Sequence, residues 1–185
     1  MLENSTIQDV AGLDPLAYFY SRSGNTPPEL LTLVREEMPE PYKGLLVHEN
    51  DMTPTLESHH KQSMYLHVID HDRDEKTFAR MVVLIGSENE KPAEFGAICI
   101  NLEHLPVPVA DAVVLGHKPL GGLLDFFDIE HRSSPRAYFK VRADDVIKQA
   151  LKLDPEQAYE LCGRKNQLWL LDGTKLAEVV EILPP

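Results

Sequence analysis

Apolar and polar residues alternate along several stretches of the chain, and one of those stretches breaks its own pattern. Thr77-Phe78-Ala79-Arg80-Met81-Val82-Val83-Leu84-Ile85 reads as a strand between a charged turn from Asp70 to Lys76 and a turn at Gly86-Ser87-Glu88-Asn89. Strand side chains alternate faces, so Arg80 shares one with Phe78, Val82 and Leu84, while Ala79, Met81, Val83 and Ile85 share the other. Both faces are apolar, which predicts cover on both. A guanidinium in such a place stays charged and needs anionic or carbonyl partners. Two readings stand: a snorkelling or salt-bridged structural arginine, or a pocket cation that holds a carboxylate through paired hydrogen bonds.

The flanking patterns extend this strand into a meander. Met64 to Asp70 and Ala93 to Leu102 alternate as strands on either side of it, joined by short polar turns, which predicts antiparallel pairing. Gly96 interrupts the second of these, as glycines do at bulges and close approaches. Further strands are expected at Ser134 to Arg142 and in a hairpin of Gln167 to Leu171 with Lys175 to Leu183, turning at Asp172-Gly173. In the last strand Glu181 falls on the face of Ala177, Val179 and Leu183, as a buried carboxylate or as an exposed one near the end of the sequence.

Helices are expected at Glu29 to Met38, from a Thr53 N-cap with Pro54 at the first helical position, at Val109 to Leu115, from Pro119 onward, at Asp144 to Leu151 and at Gln157 to Gly163. The starts near Thr53 and Pro119 present backbone N–H groups free of helical partners, a setting in which water or an anion is held. The whole reads as an α+β fold in one domain, residues 1–185. About six mostly antiparallel strands carry helices over a face, and residues 1–40 form a less defined N-terminal helical segment.

Composition narrows the partners. With 18 Lys and Arg against 30 Asp and Glu, the net charge of −12 disfavours nucleic acid and anionic membrane surfaces. A local pocket field can still oppose that charge and take a small anion. Cys99 and Cys162 lie far apart without a CxxC spacing and read as free thiols of a reducing compartment; with no signal-peptide pattern and no apolar run of membrane-spanning length, a cytoplasmic protein is expected.

Other chemistries have less support. His59, His60, His67 and His71 cluster in sequence, and His67 and His71 would share a strand face, but no Cys, Asp or Glu completes a metal-ligand spacing. Ser133-Ser134 with His131 lacks a nucleophile elbow, and Gly121-Gly122 lacks the setting of a nucleotide loop. Phe126-Phe127 and Tyr138-Phe139 read as core rather than as a base-stacking platform.

Four segments, in this order, resemble the chorismate pyruvate-lyase family: Leu45-Leu46-Val47-His48-Glu49-Asn50-Asp51-Met52-Thr53, the Arg80 strand, Leu115-Gly116-His117-Lys118-Pro119-Leu120-Gly121, and the last hairpin with Glu181. The Glu94-Phe95-Gly96-Ala97 strand and the Gly163-Arg164-Lys165 segment are similar too. The resemblance implies a chorismate lyase-like fold and elimination of pyruvate from chorismate to give 4-hydroxybenzoate or a close hydroxybenzoate isomer, a step of ubiquinone biosynthesis, without a metal or organic cofactor. It implies Arg80 and Glu181 as catalytic residues and Arg80, Met52 and Leu120 as substrate-binding ones, with Glu181 at the phenolic end and assisting one proton transfer. Where the family has Thr-Pro-Leu-Gly and a basic residue, this chain has Lys118-Pro119-Leu120-Gly121-Gly122. The same fold resembles the effector-binding domain of some transcription regulators, which bind ligands without chemistry. A lyase and a non-catalytic binder of a small aromatic acid are therefore the two expectations; the oligomeric state is left open.

Overall fold

A computed structural model of the chain describes residues 10–185. Among them seven strands form one sheet, β1 (Leu30–Leu33), β2 (Met64–Arg73), β3 (Thr77–Gly86), β4 (Pro92–Asn101), β5 (His131–Arg142), β6 (Glu160–Leu170) and β7 (Lys175–Ile182), in the order β1-β5-β6-β7-β4-β3-β2. Every neighbouring pair is antiparallel. The helices are α1 (Leu16–Arg22), α2 (Tyr42–Leu46), α3 (Met52–His60), α4 (Val107–Leu115), α5 (Leu120–Phe126) and α6 (Asp145–Ala150). The architecture is α+β, with a seventh strand beyond the six expected. No described helix is long and apolar enough to cross a membrane.

The sheet is covered on both faces, as the two apolar faces of β3 require. On one face Leu16, Phe19 and Tyr20 of α1 and Ile147 of α6 pack over Val83, Phe95, Phe139 and Val180. On the other, two separate clusters form. Helices α4 and α5 pack over Phe78, Ile98 and Leu176, while α2 and α3 pack over Leu84, Ala93 and Leu183. Each fully buried large apolar side chain contributes roughly 1.5–3 kcal/mol. The second face also carries the charged residues of the interior: Arg80 opposite Ile98, and Glu181 between Gly96 and Arg164.

Several local expectations change. Residues 29–38 are not a helix: Leu30–Leu33 pairs with β5, and only Arg35–Glu37 form a short 3-10 turn. β-Branched Thr32 and Val34 suit an extended edge strand, and pairing with β5 outweighs the weak helical spacing of Leu30, Leu31 and Val34. The N-terminal segment is thus helical only in part; residues 1–9 of it lie outside the described residues. Gln157 to Gly163 is not a helix either, because Glu160 to Gly163 open β6. Helix α3 takes Asp51, not Thr53, as its N-cap, so Pro54 is its third residue, and Pro119 stands just before α5 rather than inside it. His67 and His71 do not share a face. A bulge between Val68 and Asp70 sets His67 opposite Val83 and His71 opposite Arg80.

Two strand glycines mark close approaches in the sheet centre. A Cβ built on Gly96 would lie 2.0 Å from the Val180 carbonyl oxygen, and one on Gly163 would lie 2.5 Å from the Phe139 ring. Gly163 therefore sits under an aromatic side chain from β5, not at a helix end. Gly96→Ala is expected to destabilise the protein by about 3 kcal/mol or more, since backbone must move to admit the methyl group. Urea unfolding of the two proteins measures this, and an unchanged midpoint would show that the approach of β4 and β7 is not tight.

Candidate functional site

The junction of the two helical clusters on the second face encloses a cavity of about 70 Å³. Its floor is the sheet, with Arg80 and Val82 from β3, Glu94 and Ile98 from β4, Asn166 from β6 and Glu181 from β7. Its roof is the start of α3, with Met52, and the start of α5, with Leu120. Arg80, Met52, Leu120 and Glu181, scattered over about 130 positions, thus face one space. The side chains come together because alternate positions on paired strands share a face, and the antiparallel register aligns them.

Arg80 is 1% exposed, and its Nη2 donates to the Lys118 carbonyl at 3.2 Å. Its Nε and Nη1 are buried and have no hydrogen-bond partner among the described residues. Burial pushes its pKa down to about 10, so the guanidinium remains charged at neutral pH. A buried cation with unused donors is unfavourable alone, and an anion that reached those donors would relieve the cost.

Arg164, 0% exposed, is the opposite case. Its Nε donates to Glu181 Oε2. Its Nη1 donates to the carbonyls of Leu46 and His48, and its Nη2 to that of Asn50 at 3.1 Å. The guanidinium thereby ties β6 to β7 and to the loop that launches α3. Glu181 does turn inward, but an arginine already compensates its carboxylate. Glu94, on the same face, has a buried Oε2 without a partner. Burial and the Glu181 carboxylate raise its pKa well above the usual carboxylate range, despite an opposing pull from Arg164. Asn166 donates to Ser133 Oγ at 2.8 Å, and its Oδ1 is unpartnered. Sequence reasoning gave no role to Glu94 or Asn166 and saw Arg164 only as part of a similar turn. A lone charged residue in the apolar run Ala93–Ala97 is the signal that would have found Glu94, the one that found Arg80.

The helix starts above the cavity are open. Asp51 is a good capping residue, yet neither it nor Pro119 makes a side-chain cap. The Asp51 carboxylate instead bonds His131 Nε2 at 2.7 Å, which pins the start of α3 to β5. The first backbone N–H groups of the nine-residue α3 are left uncapped at the cavity roof. Among the described residues no group of three potential metal ligands is assembled.

No family model matches the sequence, and no curated protein matches it. Solved structures do. PhnF from Mycobacterium smegmatis superposes with a TM-score of 0.56 at 9% identity over 74% of this chain and 64% of that one, less than two thirds of its length. Its effector domain alone gives 0.53 at 9% identity, covering 72% of this chain and 87% of that one. The ligand-binding domain of a protein assigned to the GntR family of transcriptional regulators, from Bordetella bronchiseptica, gives 0.50 at 13% identity, covering 65% and 85%. At such identities the likeness is one of fold. The chain has the chorismate lyase-like α+β fold, and it resembles ligand-binding effector domains of transcription regulators.

The two buried arginines predict opposite costs. Arg164→Met is expected to destabilise by roughly 3–5 kcal/mol, since it leaves the Glu181 carboxylate uncompensated in the interior. Arg80→Met is expected to cost under about 1 kcal/mol or to stabilise, since it removes a cation with one partner. Urea unfolding of both variants reads the difference, and equal losses would contradict it. The Asp51–His131 pair adds a pH dependence. Asp51 raises the His131 pKa in the folded state. The pair's stabilisation is therefore complete below the unfolded value of about 6.5 and fades as pH rises through the folded one. The melting-temperature gap between wild type and Asp51→Asn is expected to be larger at about pH 5.5 than at about pH 8.5. A gap that widens toward alkaline pH would reverse the assignment.

Proposed function

We propose that this chain binds a small carboxylic acid with an unsaturated six-membered ring, its carboxylate on Arg80 beneath the starts of α3 and α5. The observation that carries the reading is the pair of unpartnered guanidinium donors on a buried Arg80 facing a cavity. Val82, Ile98 and Leu120 give the ring apolar contact, and the uncapped N–H groups of α3 add positive potential near the carboxylate. The cavity's 70 Å³ is about half the roughly 150 Å³ that admits benzene in an engineered site, so binding requires the roof to lift. The two roof helices belong to different apolar clusters, which supports such a motion. The likeness to effector domains supports binding without chemistry as the leading reading.

A second reading is chorismate lyase chemistry, favoured by two carboxyl groups, Glu94 and Glu181, on the same cavity wall as the arginine. In that reaction the bond between ring C3 and the enolpyruvyl oxygen breaks, the ring C4 proton is lost and a proton is returned to the enolpyruvate methylene carbon, and pyruvate leaves as the ring becomes aromatic. A carboxyl group held beside the ring would assist the proton transfer. Glu181 is less suited to it while bound to Arg164.

Calorimetry with 4-hydroxybenzoate tests the site. Binding by the wild type and a loss of about 100-fold or more in Arg80→Ala are expected, from removal of charge-assisted hydrogen bonds. Unchanged affinity in the variant would exclude Arg80 as the receptor. Incubation with chorismate separates the two readings: pyruvate release that disappears in Arg80→Ala supports the lyase, and its absence from a protein that binds 4-hydroxybenzoate supports the binding module.

A further inference from the structure

Glu94 is a cavity residue to which neither the family resemblance nor the fold gives a role. It stands on β4 opposite Leu84, two positions from Gly96, and is 5% exposed. The charged groups facing it are Glu181 from β7 and Arg164 from β6; Val82, Leu84 and Leu66 supply apolar wall on the β3 and β2 side. Arg164 is committed to Glu181 and to three backbone carbonyls. A Glu94 carboxylate would therefore sit beside a second carboxylate without a cation of its own. Burial and that neighbour raise the Glu94 pKa well above the usual carboxylate range, which favours the protonated form. A protonated carboxyl group offers an O–H donor and an acceptor, and its Oε2 is unpartnered.

Position and charge then constrain the occupant. Arg80 pairs with Ile98, four residues along β4 from Glu94, so the two stations lie roughly 13 Å apart at the backbone, with the side chains reaching over that span. With Glu94 neutral, Arg164 paired with Glu181 and Asp51 paired with His131, Arg80 is the charge at the cavity without a counter-charge among the described residues. A monoanion neutralises it; a dianion overshoots and places its second charge beside Glu181. Resting on the aromatic-acid reading above, we propose that Glu94 is the specificity-determining residue of the cavity. Its carboxyl group hydrogen-bonds a neutral oxygen at the far end of a monoanionic ring acid, and so selects a hydroxy acid over the unsubstituted acid and over a diacid. Glu181, to which the resemblance assigns that end, instead holds Arg164.

The test measures affinities of benzoate, 4-hydroxybenzoate and terephthalate for the wild type, Glu94→Gln and Glu94→Leu by calorimetry. Wild type is expected to bind 4-hydroxybenzoate about tenfold tighter than benzoate, the worth of one hydrogen bond in a dry site, and terephthalate weakest. Glu94→Gln, which keeps a donor and an acceptor, is expected to retain the preference. Glu94→Leu is expected to bring it within about threefold. Equal wild-type affinities for benzoate and 4-hydroxybenzoate, or tightest binding of terephthalate, would overturn the role of Glu94 and leave carboxylate binding at Arg80 intact. Failure of all three to bind would overturn the aromatic-acid reading and this inference with it. Equal or inverted wild-type ratios overturn the role even where Glu94→Leu fails to fold, and Glu94→Ala then takes its place, with the same loss of preference expected.

Discussion

The ion pair of Arg164 with Glu181 holds the rest of the site in place. It joins β6 to β7 inside the sheet and, through the carbonyls of Leu46, His48 and Asn50, fixes the loop from which α3 starts. Together with the Asp51–His131 contact it sets the height of the α3 start above the floor. A buried ion pair gives little net stability compared with a well-packed apolar substitute, because desolvation offsets attraction. What it supplies here is position. The same pair silences Glu181 as a free carboxylate and leaves Glu94 beside a fixed negative charge. Two properties of the site follow from one guanidinium: loop placement and a compensated Glu181.

Arg80 shows the complementary strategy. One carbonyl satisfies one of its nitrogens, the other two have no partner among the described residues, and the side chain lines the cavity. Such an under-satisfied cation is costly, and a carboxylate bound there would remove the cost. A fold can carry such a liability only if the rest of the core is secure, and the opposite sheet face, packed by α1 and α6, is continuous and apolar. The face with the cavity is divided between two helical clusters, which is where local opening is least costly. The fold itself does not decide between binding and catalysis, and the residues of the site must.

Much of this was readable in the sequence, for identifiable reasons. The meander of β2, β3 and β4 and the final hairpin follow from alternation and from Asp172-Gly173, local signals that tertiary context reinforces. Arg80 and Glu181 announced themselves as charges on apolar strand faces. Residues 29–38 misled because a ten-residue window with three spaced apolar residues fits a helix or an edge strand, and only the β5 partner decides. Gly163 read as a helix stop, whereas it makes room for Phe139. The bulge after Val68 separated His67 from His71, and no sequence rule places a bulge in a polar edge strand. Arg164 was hidden in Gly163-Arg164-Lys165-Asn166-Gln167, a segment as polar as a turn, whose burial arises entirely from long-range pairing. Asp51 was passed over as a cap for Thr53 because its real partner, His131, is 80 residues away.

The central claim is that one buried arginine is open for a ligand and the other is not. The side-chain Nε–H resonances of Arg80 and Arg164, assigned with the Arg80→Met and Arg164→Lys variants in a nitrogen-correlated NMR spectrum, report on it directly as 4-hydroxybenzoate is added. The account predicts that the Arg80 resonance shifts and saturates with the ligand while the Arg164 resonance stays in place. Movement of Arg164 with a stationary Arg80 would contradict it, and would place the ligand, if anywhere, on the structural pair instead.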